Sequence, residues 1–185
     1  MKNMFFACLM IGLVLLVGNT AVNAQGMAKP KPKVTAVPAP AKCGTNGLTA
    51  DEIAEILAAH NHARAEHKLG HLTWDCKLAD TAQEWANKGL FRHREDVLFG
   101  ENLFVSSNSS EHISSVVAKW MGEMEHWTNK TGICAAGKIC TLYTQIVWKT
   151  TARVGCGINR NATGKWKTLL VCNYSPAGNT PGPAY

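Results

Sequence analysis

Residues 140 to 151 read CTLYTQIVWKTT. Leu142, Thr144, Ile146 and Trp148 alternate with Tyr143, Gln145 and Val147, which is the period-2 signal of a pleated segment. The alternation predicts a strand over 142–149. Two further strand-like runs follow at 153–160 and 166–174, parted by the turn-forming residues NATG at 161–164. These three runs close the chain, and what precedes them is helical in pattern. Thr49-Ala-Asp-Glu52 is a capping box, in which Thr49 accepts an orphan amide and Glu52 reaches back. Ile53, Ile56, Leu57 and His60 then repeat at helical spacing and predict a helix to about Lys68. A second helix opens after Trp74 with Leu78, Ala82 and Trp85 as its buried stripe and Gly89 at C′. A third opens at Ser109-Ser110-Glu111, with Ile113, Val116, Val117, Trp120, Met124 and Trp127 on its apolar face. Helices first and antiparallel strands last predict an α+β domain.

That domain begins near Cys43. Ahead of it, residues 25–42 hold four prolines, four lysines and no aromatic residue, a composition that makes an extended linker and no core. The first 24 residues have the form of a secretory signal peptide: Lys2, an apolar run from about Phe5 to Val17, then Val22 and Ala24 at the −3 and −1 positions of a cleavage site. The run is shorter than the roughly 20 residues a membrane span needs. A secreted protein is therefore expected.

Secretion sets the reading of the cysteines. Cys8 leaves with the signal peptide and six remain: Cys43, Cys76, Cys134, Cys140, Cys156 and Cys172. An even count in an oxidising compartment implies three disulfides, although six cysteines allow 15 pairings. Cys134 and Cys140 flank a tight AAGKI loop, and Cys156 and Cys172 sit on two strand-like runs; Cys43 and Cys76 are left. A metal cluster is the competing reading, but no paired CxxC is present. Three sequons, at Asn108, Asn129 and Asn161, are glycosylation candidates.

The net charge is +6, and its distribution is uneven. All 13 acidic residues lie between Asp51 and Glu125, while residues 126–185 carry seven Lys or Arg and no carboxylate side chain. The plain reading is a solvated basic face. The functional one is attraction to an anionic membrane surface or to sulfated glycans. No nucleic-acid-binding motif is present.

Three polar residues stand in apolar surroundings: His93 in FRHRE, Glu101 in FGENLF and Glu123 in WMGEME. Each alone has a dull explanation, a satisfied histidine or a solvated glutamate.

Taken in order, the blocks HNHAR (60–64), LTWDCKLADTAQEWA (72–86), FGENLF (99–104), the Trp120/Glu123 pair, YTQIVWKTTARVGCG (143–157) and VCNYSPAGN (171–179) resemble the CAP superfamily. This is the superfamily of cysteine-rich secretory, antigen 5 and pathogenesis-related class 1 proteins, also called SCP domains and including venom allergen-like proteins. The resemblance covers about Leu48 to Asn179. It implies a three-layer α-β-α sandwich with a central antiparallel sheet, and it supports the Cys134–Cys140 and Cys156–Cys172 pairings. It also implies a cleft tetrad of two histidines and two glutamates. Three of the four positions are filled, by His93, Glu101 and Glu123. The fourth, just before YTQ, is Leu142.

Zinc needs ligands with lone pairs, and catalytic zinc usually takes three from the protein plus water. A leucyl side chain offers none. Two carboxylates left close together are expected to push one pKa upward. No cofactor or metal is therefore expected, and all six mature cysteines are assigned to disulfides, which leaves no thiol nucleophile. A metal-dependent hydrolase or protease using the cleft is disfavoured because Leu142 replaces a tetrad histidine. The favoured expectation is a non-enzymatic secreted protein that binds a sterol or other lipid, acts as an extracellular defence or immune-modulating factor that engages a receptor, or does both. The resemblance implies sterol binding at the loop of about Thr128 to Thr141, flanked by Trp127 and Tyr143, or fatty-acid binding between helices.

Overall fold

The computed structural model describes Cys43, residues 47–162 and residues 164–185. The expected signal peptide (1–24) and linker (25–42) lie outside these residues. Among the described residues four helices and six strands follow in the order α1 (Ala50–Glu66), β1 (Thr73–Trp74), α2 (Cys76–Asn87), β2 (Gly100–Ser106), α3 (Ile113–Met121), β3 (Trp127–Thr128), β4 (Ile133–Cys134), α4 (Thr141–Ile146), β5 (Arg153–Asn159) and β6 (Thr168–Ser175). The main sheet has the order β1-β5-β6-β2. Its long pairs, β5–β6 and β2–β6, are antiparallel; the two-residue β1 joins the edge in parallel.

The sheet separates two cores, and strand periodicity decides which residue enters which. On β6, Leu170, Cys172 and Tyr174 join Ile56 and Leu57 of α1, Val116, Val117 and Trp120 of α3, and Tyr143 and Ile146 of α4. Leu169 and Val171 point the other way, against Ala82, Trp85 and Ala86 of α2. This is the α-β-α sandwich. On β5 the residues beneath α2 are Gly155 and Gly157. A β-carbon at Gly155 would collide with the backbone nitrogen of Ala79, and one at Gly157 with that of Gln83. The two glycines of ARVGCG thus let α2 rest on bare strand backbone.

Local signals held where they were local. The Thr49 capping box closes both ways: Thr49 N–H donates to Glu52 Oε2 (2.9 Å), and Glu52 N–H to Thr49 Oγ1 (3.2 Å). Gly89 follows α2 with φ +69°, the left-handed C′ residue. Three disulfides join Cys43–Cys76, Cys134–Cys140 and Cys156–Cys172. The last links directly opposite residues of β5 and β6.

Two expectations are corrected. The third helix ends at Met121 and continues only as a 3-10 turn over Gly122–His126. Met124 is accordingly exposed, and Trp127 belongs to the β3–β4 hairpin and not to a helical face. The strand expected over 142–149 is instead α4. Tyr143 through Trp148 are all buried, so both alternating sets face protein and the period carries no face information. A short apolar run of this kind is ambiguous between buried strand and buried helix.

Candidate functional site

The short helix α4 is held from outside itself. Glu123, on the 3-10 turn, sends its carboxylate to the first turn of α4, where Oε2 accepts the amides of Leu142 (2.9 Å) and Tyr143 (3.1 Å). Cys140 at the N-cap position contributes no side-chain hydrogen bond. Glu123 therefore does the work of an N-cap residue from a distance, with its charge against the positive end of the helix. Burial pushes its pKa up, and the two amides partly oppose that. The upward direction was expected from a neighbouring carboxylate; its cause is desolvation.

The other end of α4 is held by Arg64, from the HNHAR block on α1. The residue is 1% exposed. Nη1 donates to Ile146 O and Trp148 O, Nη2 to Thr151 O (all 2.9 Å), and Nε to Gly70 O (2.6 Å). Burial lowers its pKa to about 10, so it stays charged at neutral pH. Gln145, within α4, is the meeting point of two other blocks. Its Oε1 accepts the amide of Gly178 (2.9 Å), and β-carbons at Gly100 or Gly178 would strike its side chain. Neither Arg64 nor Gln145 stood out as a site residue in the sequence. For Gln145, an amide side chain inside the largely apolar run YTQIVW was the available signal; HNHAR around Arg64 is polar and offers none.

His93 and Glu101 form a separate pair. Glu101, on β2, is 4% exposed at its side chain, whereas His93 in the preceding loop is 63% exposed. His93 Nδ1 donates to Glu101 Oε1 at 2.9 Å, and the Arg94 amide donates to the same oxygen at 3.3 Å. The hydrogen bond to Glu101 raises the His93 pKa against the opposing effect of burial. Arg94 Nε stands 3.9 Å from Glu101 Oε2, too far for a hydrogen bond, and both atoms are buried without a hydrogen-bond partner.

These positions do not fit a metal. Leu142 supplies no lone pair, Glu123 Oε2 is engaged by two helix amides, and His93 keeps only Nε2, since its Nδ1 is held by Glu101. Among the described residues no group of three or more His, Cys, Asp or Glu side chains is arranged to hold an ion.

The two aromatic residues expected to flank a ligand loop part company. Tyr143 is fully buried. Its hydroxyl donates to Tyr185 Oη (2.9 Å) and lies 3.1 Å from His67 Nε2. It is a core residue and does not line the loop. Trp127 does line a concavity of about 340 Å³, with Lys138, Ile139, Thr144, Trp148 and Asn179. Of the sequons, Asn108 and Asn161 are exposed. Asn129 is half-buried, and its side-chain amide donates to Tyr185 O.

A second concavity, about 370 Å³, runs between α1 and α3. Ala59, Ala63, Val117, Ala118, Met121 and Met124 line it, with His62 and Glu66 at its rim, 3.6 Å apart.

Residues 57–174, which hold α2, β5, the Cys156–Cys172 bridge and Gln145, match the model of the cysteine-rich secretory protein family. The chain belongs to this family, the CAP family. It is 38% identical over 132 residues to a pathogenesis-related protein of PR-1 type from Sambucus nigra, covering 69% of this chain and 78% of the relative. It is 32% identical over 188 residues to peptidase inhibitor 15-A of Danio rerio, covering 89% and 72%. Among solved structures, BmVAL-1 superposes with a TM-score of 0.67 at 28% identity, over 78% of this chain and 86% of that one. NaASP2 with Zn2+ superposes at 0.63 over 78% and 90%; at 23% identity it speaks for the shared CAP fold alone. Among the described residues of this CAP protein, no helix is long and apolar enough to cross a membrane.

Proposed function

We propose that this chain is a secreted, non-enzymatic CAP protein that carries a lipid, taking an acyl chain into the groove between α1 and α3. The observation that carries the reading is the groove's composition. Its floor is small or flexible apolar side chains, Ala59, Ala63, Val117 and Met121, and its volume of about 370 Å³ lies in the range of small-ligand sites. His62 and Glu66 at the rim offer polar partners for a headgroup. Leu142 in the tetrad and the engagement of His93 and Glu123 support the non-enzymatic reading against a metal-dependent hydrolase. The similarity to pathogenesis-related proteins supports an extracellular defence role, for which lipid carriage is one chemistry.

The test is saturable binding of a fluorescent fatty acid to delipidated protein. Ala59→Trp and Ala118→Trp, both at solvent-accessible positions, fill the groove and are expected to weaken binding at least tenfold without unfolding the chain. Equal binding by the filled variants overturns the assignment. Sterol binding that survives them but is lost in Trp127→Ala with Ile139→Asp transfers the ligand to the loop of 128–141. Absence of any bound lipid leaves a protein-interaction role in defence as the function.

A further inference from the structure

On the far side of the sheet from that groove, the loop after α2 and the turn before β6 meet in an aromatic contact. The rings of Phe91 and Trp166 lie 6.3 Å apart, inclined at 61°. Phe91 is 53% exposed and Leu90 beside it 41%. Farther along the same loop Leu98 is 97% exposed. Isolated surface hydrophobics are ordinary, but a contiguous group that brings together two distant segments is a recognition feature.

The rim of this patch is cationic. The Lys165 ammonium sits 4.6 Å from the Trp166 ring centre, and Lys88 and the Arg92 guanidinium sit 4.9 and 5.8 Å from that of Trp85. Trp85 ties the loop down by donating its indole N–H to Arg92 O. Among the described residues neither Lys88 nor Lys165 is ion-paired, and the only carboxylate near the rim cations within ion-pair distance is Glu95, 3.9 Å from Arg92 with both side chains largely in solvent. The residues from 126 onward add no carboxylate side chain.

We propose that the Phe91–Trp166 patch docks on anionic membranes, with Leu90, Phe91 and Trp166 entering the interfacial layer and Lys88, Arg92 and Lys165 meeting the lipid phosphates and carboxylates. Tryptophan and phenylalanine beside lysines are the composition that partitions to the bilayer interface, and the negative surface potential supplies the charge complement. A sulfated glycan satisfies the cations but not the apolar groups. Sugar stacking needs an open aromatic face, and Lys165 lies over one face of Trp166 while Phe91 crowds the ring at 61°. Leu90, beside Phe91, has no use in saccharide recognition. The inference is independent of the acyl-chain groove, whose lining shares no residue with this patch.

Flotation of the mature protein with vesicles of phosphatidylcholine, with and without phosphatidylserine, tests it. Binding is expected only with phosphatidylserine. Phe91→Ser and Lys165→Glu are each expected to weaken it about fivefold or more. Brominated lipid is expected to quench fluorescence in the wild type and less in Trp166→Phe. Thermal melts confirm that these exposed-site variants fold. Vesicle binding unchanged in both patch variants, or no binding to phosphatidylserine vesicles at low salt, overturns the proposal. So does retention on heparin that Lys165→Glu abolishes and Phe91→Ser leaves intact in a protein that ignores vesicles.

Discussion

Glu123 and Arg64 grip opposite ends of one six-residue helix. The carboxylate takes the amides of Leu142 and Tyr143, and the guanidinium takes the carbonyls of Ile146 and Trp148. Each charge opposes the helix dipole at its own end. A helix this short is not stable alone, since nucleation is unfavourable and so few residues follow. Its existence depends on these two side chains and on the core beneath Tyr143 and Ile146.

Arg64 is accordingly the more demanding position. Four backbone carbonyls converge on its planar fork, and lysine cannot reach them all. Arg64→Met is expected to cost at least about 3 kcal/mol, because buried carbonyls are left unpaired. Arg64→Lys is expected to recover only part of this. Denaturant midpoints of the three proteins decide it, and a lysine variant as stable as wild type refutes the fork argument.

At Glu123 the acceptor matters more than the charge. Burial offsets part of what the Glu123 charge contributes, so Glu123→Gln, which keeps an oxygen for the two amides, is expected to cost less than loss of the acceptor. Glu123→Ala removes the acceptor and is expected to cost about 1–2 kcal/mol. Amide exchange at Leu142 and Tyr143 is expected to accelerate in the alanine variant alone. Equal losses from both substitutions would show that the charge dominates.

This arrangement also explains what was readable in the chain. The capping box of α1, the Gly89 stop and the Cys134–Cys140 and Cys156–Cys172 bridges are written within a few residues or within a strand pair, and they were legible; Cys43–Cys76, 33 residues apart, followed as the pair left over. The state of residues 141–146 is set by Glu123, 19 residues upstream of Leu142, and by Arg64, 82 residues upstream of Ile146. No window over TLYTQI contains either. β2 was missed for a related reason: in GENLFVS, Glu101 is buried beside His93 and Asn102 donates to Leu142 O (3.0 Å), so polar residues occupy both faces and blur the alternation. Tyr143 read as a ligand aromatic because it flanks the loop of 128–141 that the resemblance marks; its own environment is the core.

His60 predicts an acid limb of stability. It is fully buried, its Nδ1 donating to Ile56 O (2.8 Å) and its Nε2 2.9 Å from Tyr174 Oη. Burial, with the nearby Arg64 charge adding to it, lowers its pKa from 6.5 to about 4. The unfolded chain therefore takes up a proton that the folded chain refuses between those values. The stabilisation is complete above pH 6.5 and is lost as pH falls toward 4, a span worth on the order of 3 kcal/mol. His67, also lowered by burial, acts in the same direction, and His93, raised by Glu101, acts in the opposite one. The difference in pH dependence between wild type and His60→Gln isolates the buried imidazole. Parallel stability curves from pH 7 to pH 4 would assign the acid limb elsewhere.

Leu142 bears on metal chemistry through its place on the helix. As the second residue of α4, its Cβ leans toward the helix N-terminus, the end held by Glu123. An imidazole there would add the lone pair that the present residues lack, beside a carboxylate already in position. Wild-type protein is expected to give no one-to-one zinc isotherm at micromolar concentration, because Leu142 contributes no ligand and no group of three or more His, Cys, Asp or Glu side chains among the described residues is arranged to hold an ion. Leu142→His is expected to raise zinc affinity at least tenfold, about 1.4 kcal/mol. The competing outcome is that the half-buried side chain turns into the core on which Leu142 rests. In that case the histidine variant loses about 1 kcal/mol of stability and gains no metal affinity. Calorimetry with zinc, beside a thermal melt of both proteins, separates the two. Tight stoichiometric zinc binding by the unmodified chain would refute the geometric argument and restore the metal-dependent hydrolase as the leading function.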